Sequence, residues 1–324
     1  MLQPVSRRRQ TLVTAVLAVA GVALLIWQVR DAGAGELAAR LRQVGWGFLA
    51  ILAVSFGRLF MRSLAWRALI GRPMPATGTL AAVLTGDAIG NVTPLSLIVS
   101  EPAKAMYLGR GIPPSHAFAA LTAENFFYSV SVAVYVILGT AAMLTAFDVS
   151  PELRDTGAIA LLAMAAVLVA AAWMAWQRPS LLSAIVSRLP VPRLAAVVER
   201  VREFETRAYG STGGQGRRLA AVVACHVIFH LLSYLEAWLT VYLLTGRSEP
   251  LAAFVLDTAN RVVNVVFRWV PMRAGVDEVA SGAVATAVGL PDTIGVATAL
   301  VRKGRVVVWA LLGFYLLTWR DWGK

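Results

Sequence analysis

The sequence predicts an all-α protein, a polytopic transmembrane helical bundle, and three observations lead to this fold class. First, 58% of the 324 residues are hydrophobic and only 15% are charged, whereas an ordinary soluble domain carries about 25% charged residues. Second, the chain contains several mostly apolar runs of about 20 residues, the length of a helix that crosses a bilayer. Third, basic residues concentrate in particular connections between these runs, as they do on the cytoplasmic side of membrane proteins. A single soluble core and a disordered chain are therefore disfavoured.

Six runs are long and apolar enough to be spans of a single membrane domain, 1–324. They are expected at residues 11–29, 46–70, 115–147, 156–176, 219–245 and 292–319. The single cysteine, Cys225, lies in the fifth run. One cysteine excludes both an intrachain disulfide and a cysteine-based metal cluster.

The distribution of charge predicts how the spans are oriented. Residues 178–218 contain eight arginines and three acidic residues, whereas residues 148–155 contain three acidic residues and one arginine. The first segment is therefore expected in the cytoplasm and the second in the periplasm, which places both termini on the cytoplasmic side of a bacterial inner membrane. Apolar residues at helical spacing make the connection 178–216 amphipathic, as in a helix that lies on the membrane surface.

Two further helical stretches are interrupted, and each of their halves is too short to cross the membrane. They are expected to form re-entrant helical hairpins at 77–114 and 250–291, with structural breaks at Pro94 in the first and at Pro271 and Gly275 in the second. Broken helices at membrane depth are tolerated only where protein or a watery cavity covers the freed backbone groups. The two hairpins are therefore predicted to face the interior of the bundle.

The two hairpins resemble each other in sequence. Pro94 precedes Glu101 by seven residues, Pro271 precedes Glu278 by seven, and a Gly-x-Pro follows in both cases. The second helix of each hairpin is expected to open close to its glutamate, near Ser100 in the first. A faint repeat of this kind indicates two related halves.

The halves are expected at 10–147 and 156–320, each with three spans and one hairpin. An odd number of spans makes the second half enter the membrane from the opposite side. The halves would then form an inverted repeat, as in many secondary transporters. The first hairpin would open to the cytoplasm and the second to the periplasm, and their tips would meet near the midplane, where such proteins bind substrate.

The residues around the breaks resemble the motifs of a known family. Residues 93–102 read T-P-L-S-L-I-V-S-E-P, similar to T-P-x-x-x-x-G-G-E-P except that Val99 and Ser100 replace the glycines, and residues 271–278 read P-M-R-A-G-V-D-E, similar to P-x-x-x-G-x-x-E. Together with Arg-Lys-Gly-Arg at 302–305, they resemble the flippase-like membrane family that includes the transmembrane region of bacterial lysylphosphatidylglycerol synthases. The resemblance covers nearly the whole chain. It implies lipid binding or translocation, and it does not imply lysyl transfer, because no aminoacyl-transferase domain accompanies these motifs.

The two hairpin glutamates, Glu101 and Glu278, are the first candidates for substrate binding. One reading is that each carboxylate complements the positive end of the helix that it opens. The other is that both face a central cavity and hold a cationic headgroup, a proton or an arginine, since charges inside a membrane are costly and usually functional. Asp277 and Lys104 are expected close beside them.

Basic side chains of the second half are candidates for holding a headgroup phosphate, because the planar guanidinium suits phosphate. Six such residues lie on or beside the second hairpin and on the last span: Arg261, Arg268, Arg273, Arg302, Lys303 and Arg305. The alternative is that they pair with acids, as Asp257 and Arg261 can at a spacing of four residues, or that they extend to the interface.

Polar residues on the second and third spans form two further sets. Arg58 and Arg62 lie four residues apart and are expected near the cytoplasmic end, where snorkelling to the membrane surface explains them better than substrate binding. A stripe on the third span is expected to face the bundle interior, where it would line a headgroup path or bond to neighbouring helices. The stripe consists of Glu124, Tyr128, Ser131 and Tyr135.

His226 and His230 lie four residues apart on the fifth span. The residue after the first histidine is Val227 rather than the glutamate of an H-E-x-x-H zinc motif, so no metal site is expected. A proton-coupled role stays open because histidine titrates near neutral pH. Buried histidines that bond to their neighbours are the simpler interpretation.

The sequence thus predicts a membrane protein that translocates a phospholipid or another amphipathic lipid between leaflets, and not an enzyme. It contains no nucleotide-binding loop, nucleophile elbow or paired-cysteine motif, so no cofactor is expected. Two alternatives stay open: an intramembrane lipid-modifying enzyme that uses Glu101 or Glu278 as acid or base, and a non-catalytic scaffold of an envelope-biogenesis complex. The expected partner is a membrane lipid with a phosphate-bearing headgroup. A protein partner would be a second copy of the chain, in a homo-oligomer, or an envelope-biosynthesis enzyme. Binding of nucleic acid is not expected.

Overall fold

In a computed structural model, the described part of the chain is built from helices and contains no strand. It comprises residues 34–92, 96–108, 112–177, 216–267 and 275–318. The helices in these ranges are α1 (Ala34–Val44), α2 (Gly47–Ile70), α3 (Ala76–Val92), α4 (Ser96–Leu108), α5 (Pro114–Ala146), α6 (Pro151–Gln177), α7 (Gly216–Thr245), α8 (Pro250–Val266), α9 (Val276–Ala287) and α10 (Asp292–Thr318). The predicted all-α fold class is confirmed for these residues.

Four of the helices are long and apolar enough to cross a membrane. They are α2, α5, α7 and the stretch Pro151–Trp173 of α6, and they correspond to the spans expected at 46–70, 115–147, 219–245 and 156–176. The sixth expected span coincides with α10, a helix of 27 residues that is not among these four because three basic residues interrupt its apolar sequence. The segment 11–29 lies outside the described residues, so the number of six spans stays a prediction.

Proline and glycine set several helix ends. Pro114, Pro151 and Pro250 are the first residues of α5, α6 and α8, a position that suits proline because the first N–H of a helix has no partner within the helix. Gly71 follows α2 with a φ of 67°, and its N–H bonds to the carbonyl of Arg67. This is the left-handed helix ending that favours glycine.

The first predicted hairpin consists of two helices, and the second of them begins earlier than expected. α3 ends at Val92 and α4 begins at Ser96, four residues before the expected start near Ser100. A helix can resume directly after a proline, since proline is favoured at helix starts. Pro94 itself lies outside the described residues.

The second predicted hairpin is interrupted as well, and here the first helix is shorter than expected. α8 ends at Val266, four residues before the expected break at Val270, and α9 begins at Val276. Gly275 precedes α9 with a φ of 79°, a conformation that glycine adopts without strain. Residues 268–274, which include Pro271, lie outside the described residues.

The helices pack in pairs that recur between the two predicted halves. The most extensive contact among the described helices joins α2 to α7. α2 also packs against α3 and α5, as α7 packs against α8 and α10. Within the hairpins α3 packs against α4 and α8 against α9, and across the halves α3 packs against α10 and α8 against α5.

Two glycines permit the contacts between the hairpins and the opposite half. A Cβ on Gly313 of α10 would lie 2.3 Å from the carbonyl oxygen of Leu84 in α3. A Cβ on Gly139 of α5 would lie 1.8 Å from the hydroxyl of Thr258 in α8. Small residues let membrane helices approach closely, so each hairpin is seated against a long helix of the other half.

Two apolar clusters flank a polar layer. One contains Trp66 of α2 and Leu121 of α5, and the other contains Met143 of α5 and Leu256 of α8. Along α5, the first cluster takes the amino-terminal part and the second the carboxyl-terminal part, so the polar residues from Glu124 onward lie between them. Glu124 and the arginine that it pairs with, Arg62, therefore lie between the two apolar clusters.

Candidate functional site

A polar cavity of about 300 Å³ lies where helices of both predicted halves meet. Its walls come from α2, α3, α4 and α5 of the first half and from α7, α8 and α10 of the second. Five basic and two acidic side chains line it: Arg58, Arg62, Lys104, Arg302, Arg305, Asp87 and Glu101. Four amide side chains add to the polar lining: Asn91, Asn125, Asn260 and Asn264. The lining therefore carries an excess of positive charge in a volume typical of small-ligand sites.

A continuous set of hydrogen bonds follows the first-half wall of the cavity. Lys104 Nζ donates to Glu101 Oε1 at 3.0 Å, and Asn125 Nδ2 donates to Glu101 Oε2 at 2.9 Å. Arg62 Nη2 donates to Asn125 Oδ1 at 3.1 Å. The same arginine forms a two-pronged bridge to Glu124, with Nε and Nη2 at 3.1 and 3.0 Å from its two oxygens. Such bridges fix geometry more tightly than single charged contacts.

On the second-half wall, one carboxylate receives two arginines. Arg58 Nη1 of α2 lies 2.5 Å from Glu236 Oε2 of α7. Arg305 Nη1 of α10 lies 2.5 Å from Oε1 and 2.6 Å from Oε2 of the same glutamate. The Nε atoms of Arg58 and Arg305 are buried and make no hydrogen bond to the described residues. Glu236 therefore leaves the two Nε donors of these arginines without a hydrogen bond to the described residues.

Lys104 has a carboxylate on either side. Its Nζ lies 2.7 Å from Asp87 Oδ1 of α3 and 3.0 Å from Glu101 Oε1 of α4, and its side chain is 2% exposed. The two helices come close at Gly86, where a Cβ would lie 2.2 Å from Lys104 Cγ and 3.0 Å from the carbonyl oxygen of Ser100. The glycine that lets α3 and α4 pack closely is therefore on α3. The family motif has its glycines on α4, at the two positions that Val99 and Ser100 occupy here.

The second hairpin glutamate, Glu278, lies outside the lining of the cavity. It stands in the first turn of α9 with its side chain 16% exposed, and it forms an ion pair with Lys303 of α10, whose side chain is 4% exposed. Its neighbour Asp277 is buried. The position of Glu278 fits the helix-end interpretation, and its partner is a lysine rather than an arginine.

Arg261 pairs with Asp257, as their spacing of four residues predicts. Arg261 Nη2 lies 3.1 Å from Asp257 Oδ2, and Ser233 donates to both oxygens of the carboxylate at 3.1 and 2.9 Å. The guanidinium carbon of Arg261 lies 4.1 Å from the centre of the Tyr135 ring. Arg261 is thus fully surrounded by protein groups and does not line the polar cavity.

Two expectations about this cluster are wrong. Arg58 and Arg62 do not snorkel: they lie in the middle of α2, their side chains are each 17% exposed, and they pair with Glu236 and Glu124. The pattern of α2 alone could not reveal acids that face it from α5 and α7. Nor does Glu101 open its helix, since α4 begins five residues earlier. The helix-end effect, which fades beyond the first turn, therefore does not account for this carboxylate.

The polar stripe of α5 faces the bundle interior, as predicted. Glu124 is 1% exposed and Tyr135 is 8% exposed. Ser131 hydrogen-bonds with His230 Nε2 at 2.9 Å, so this histidine has the neighbour that the simpler interpretation expects. His226 Nε2 lies 3.9 Å from Glu124 Oε1, and neither of its ring nitrogens makes a hydrogen bond to the described residues.

The structure gathers part of the predicted substrate-binding set. Five members line the polar cavity: Glu101, Lys104, Tyr128, Arg302 and Arg305. A sixth, Glu124, does not line the cavity but contacts the lining residue Arg62. Four members lie away from the lining: Arg261, Asp277, Glu278 and Lys303. The last two, Arg268 and Arg273, lie outside the described residues. Sequence reasoning missed Arg58, Arg62, Asp87 and the four asparagines as lining residues. Their common signal is a charged or amide side chain within a predominantly apolar helix.

The comparison with protein families gives a match over most of this chain. The family model described as the lysylphosphatidylglycerol synthase TM region matches residues 12–320. Comparisons with curated proteins and with solved structures give no match. Because the family model covers nearly the whole sequence, the chain belongs to this family of lipid-related membrane proteins, and the resemblance inferred from its motifs is confirmed.

Proposed function

We propose that this member of the family translocates a phosphate-bearing lipid between the two leaflets, with the headgroup phosphate held in the polar cavity. The observation that carries the proposal is the lining itself, in which five basic and two acidic side chains from both halves surround about 300 Å³. An unpaired ionised group is very costly to move through hydrocarbon. A cavity with surplus guanidinium groups lowers that cost by pairing the phosphate in transit.

The phosphate site in this proposal is the arginine corner of the cavity, formed by Arg58, Arg302 and Arg305. Arg58 and Arg305 share the carboxylate of Glu236, so a phosphate there would add a second anion for two guanidinium groups. Lys104 is a poorer candidate because it already contacts two carboxylates. The headgroup beyond the phosphate would then face the asparagine-lined remainder of the cavity.

The helix packing supports an inverted repeat as the framework for translocation. When α2, α3, α4 and α5 are matched in order with α7, α8, α9 and α10, each contact within the first set has a counterpart in the second, and α3 on α10 corresponds to α8 on α5. The paired charges Arg58, Arg62, Glu124 and Arg305 lie away from the ends of α2, α5 and α10. We therefore assign the cavity to the membrane midplane, where inverted-repeat transporters bind substrate.

We also propose that both termini and the connection 178–216 lie in the cytoplasm of a bacterial cell, with the spans in the inner membrane. The arginine excess of 178–218 supports this orientation. A cysteine introduced as Glu205→Cys in a Cys225→Ala background should react only with reagents that reach the cytoplasmic side. Labelling of position 205 from the periplasm would contradict both the topology and the direction assigned to each hairpin.

A leaflet-exposure assay tests the phosphate site. Purified protein is reconstituted into liposomes with fluorescent phosphatidylglycerol, and the fraction accessible to a membrane-impermeant quencher is followed over time. Arg305→Gln should slow exchange about 10- to 100-fold, because a hydrogen bond to a charged group contributes about 1.5–3 kcal/mol. The matched control is Arg154→Gln, at an exposed position of α6, which should exchange lipid like the wild type.

A folding control keeps this test decisive. Unfolding curves of Arg305→Gln and wild type are compared, and Arg305→Lys, which keeps the charge, should recover part of the exchange rate. A folded Arg305→Gln protein that exchanges lipid at the wild-type rate would overturn the assignment of the cavity.

In this proposal the protein carries out no covalent step. The candidate acid or base Glu101 is bonded through both oxygens, to Lys104 and Asn125, and Glu278 is paired with Lys303. Mass analysis of lipids after incubation with the purified protein separates the alternatives. A changed lipid mass would favour an enzyme, whereas lipid binding without leaflet exchange would favour a scaffold.

A further inference from the structure

A long apolar groove runs beside the polar cavity, between α5, α7 and the start of α8. It encloses about 810 Å³, and its lining extends on α5 from Phe127 to Leu138 and on α7 from Val223 to Tyr234. At about 1.5 Å per residue, each stretch is about 17 Å long. This length is close to half of the hydrocarbon core of a bilayer, about 15 Å, and therefore to the space that one acyl chain fills in one leaflet.

The wall between the groove and the cavity is one aromatic layer thick. Tyr128 and Phe229 line the cavity, and their ring centres lie 5.6 Å apart in an edge-on arrangement. On the cavity side, the guanidinium carbon of Arg62 lies 4.4 Å from the Tyr128 ring centre, and that of Arg58 lies 5.0 Å from the Phe229 ring centre. On the other side, the ring of the groove-lining residue His230 lies 5.2 Å from that of Phe229. The groove and the cavity are thus neighbouring compartments of opposite polarity.

The rim of the groove is open at the outer surface of two candidate spans, α5 and α7. Three of its lining residues are largely exposed: Leu138 at 58%, Val227 at 52% and Leu231 at 61%. An apolar groove about 17 Å long beside a cavity lined by basic residues has the layout of a lipid, in which an apolar chain is joined to a charged headgroup. This layout favours a hydrocarbon chain over another helix as the occupant.

We propose that this groove binds one acyl chain of the same lipid whose phosphate occupies the cavity, with Tyr128 and Phe229 between headgroup and chain. The inference rests on the proposed function and adds a second site to it. Cation–aromatic contacts hold both rings against the arginines, so the wall has a cationic face for the headgroup and an apolar face for the chain.

Photochemical cross-linking tests the groove directly. The probe is phosphatidylglycerol with a diazirine at the end of one acyl chain, mixed into liposomes of phosphatidylethanolamine and phosphatidylglycerol that contain the full-length protein. Peptide mass spectrometry should place adducts in 127–138 and 223–234 at least fivefold above those on the exposed surface of α6. Leu231→Trp, which fills the groove, should reduce these adducts at least fivefold. The matched control Leu162→Trp, at a position of α6 that is 72% exposed, should leave them unchanged.

A second probe links the chain to the headgroup. Arg305→Gln should lower groove labelling by the phosphatidylglycerol probe at least fivefold, while labelling by a diazirine fatty alcohol, which has no phosphate, should not change. Equal labelling of all lipid-facing helices would indicate contact with bulk lipid and overturn the proposal. Groove labelling that does not change in Arg305→Gln would overturn it as well. A cross-link from Leu231→Cys to residues 11–29 would place the chain's own apolar segment in the groove and overturn it too.

The two proposals fail in different ways. If leaflet exchange depends on Arg305 but acyl-chain adducts are spread evenly, the function stands and the groove is not a chain site. If adducts concentrate in the groove as described but wild-type protein exchanges no lipid, the chain site stands and translocation is wrong.

Discussion

Each of the two predicted halves has an arginine–glutamate bridge, and the two bridges join helices that the proposed repeat would match, with the charges exchanged. In the first half the arginine is on α2 and the glutamate on α5, as Arg62 and Glu124 at 3.0 Å. In the second half the glutamate is on α7 and the arginine on α10, as Glu236 and Arg305 at 2.5 Å. When the arginine and the glutamate exchange places, the bridge is kept but the matched positions hold different residues. A comparison of sequence motifs therefore does not detect this similarity.

The two bridges differ in how many partners the glutamate serves. Glu124 bonds to Arg62, which has a second acceptor in Asn125. Glu236 bonds to Arg305 and also to Arg58, which comes from the other half. Glu236 therefore joins two arginines from different predicted halves, whereas Glu124 has a single arginine partner, and its contact with the second half is His226 Nε2 at 3.9 Å.

The largest effect is expected for Glu236→Gln. This change leaves two buried guanidinium groups without their carboxylate, and breaking a buried pair costs about 3–5 kcal/mol. We expect a loss of free energy of unfolding of that size, measured by denaturant titration in detergent micelles. Asp155→Asn, at an exposed position of α6 beyond its first turn, is the control and should unfold like the wild type.

Glu124→Gln sharpens the same comparison. It deprives one arginine, and Arg62 keeps its bond to Asn125, so the loss should be clearly smaller than for Glu236→Gln. If Glu124→Gln destabilises the protein as much as Glu236→Gln, then the sharing of one carboxylate by two arginines is not what distinguishes the bridges.

A second comparison concerns the lysine partners of the hairpin glutamates, and Glu278→Gln tests it. Lys104 keeps Asp87 at 2.7 Å when Glu101 is lost, whereas Lys303 is paired with Glu278 alone among the described residues. Glu278→Gln should therefore lower the free energy of unfolding by about 1.5–3 kcal/mol, the usual contribution of a hydrogen bond to a charged group. A change below about 0.5 kcal/mol in the same titration would show that Lys303 does not depend on this carboxylate.

The sequence was sufficient for the parts of the fold that depend on local patterns. Apolar runs of the right length predicted the positions of α2, α5 and α7 within three residues at either end, because hydrocarbon requires an uninterrupted apolar helix. The early end of α8 at Val266 was missed, since Phe267 and Trp269 continue the apolar pattern beyond it.

The candidate site was predicted only in part, because its pairs join residues that are far apart in sequence. Arg58 and Glu236 are 178 residues apart, and no spacing rule within one helix relates them. The equal spacing of Glu101 and Glu278 from their prolines does not predict the surroundings of the two side chains. The spacing predicts that the two glutamates occupy corresponding positions, but the first lines the polar cavity and the second does not. Environment is set by the helices packed around a residue, and the motif does not contain that information.

The smallest stability effect is expected for Glu101→Gln, together with a larger effect on transport. Lys104 retains Asp87, and a glutamine can still accept from Asn125 or Lys104, so the free energy of unfolding should fall by only about 0.5–1.5 kcal/mol. The lining of the cavity, however, would then hold five basic residues against one acid. A phosphate would bind in a more positive cavity and leave it more slowly, and a barrier to release that rises by about 1.4 kcal/mol slows exchange about tenfold.

Glu278→Gln, which lies outside the lining, should show the reverse: a larger loss of stability and near-wild-type exchange by the folded fraction. Both variants are compared by unfolding titration and by leaflet exposure of phosphatidylglycerol. Wild-type exchange by Glu101→Gln with loss of exchange by folded Glu278→Gln would move the headgroup site from the first hairpin to the second.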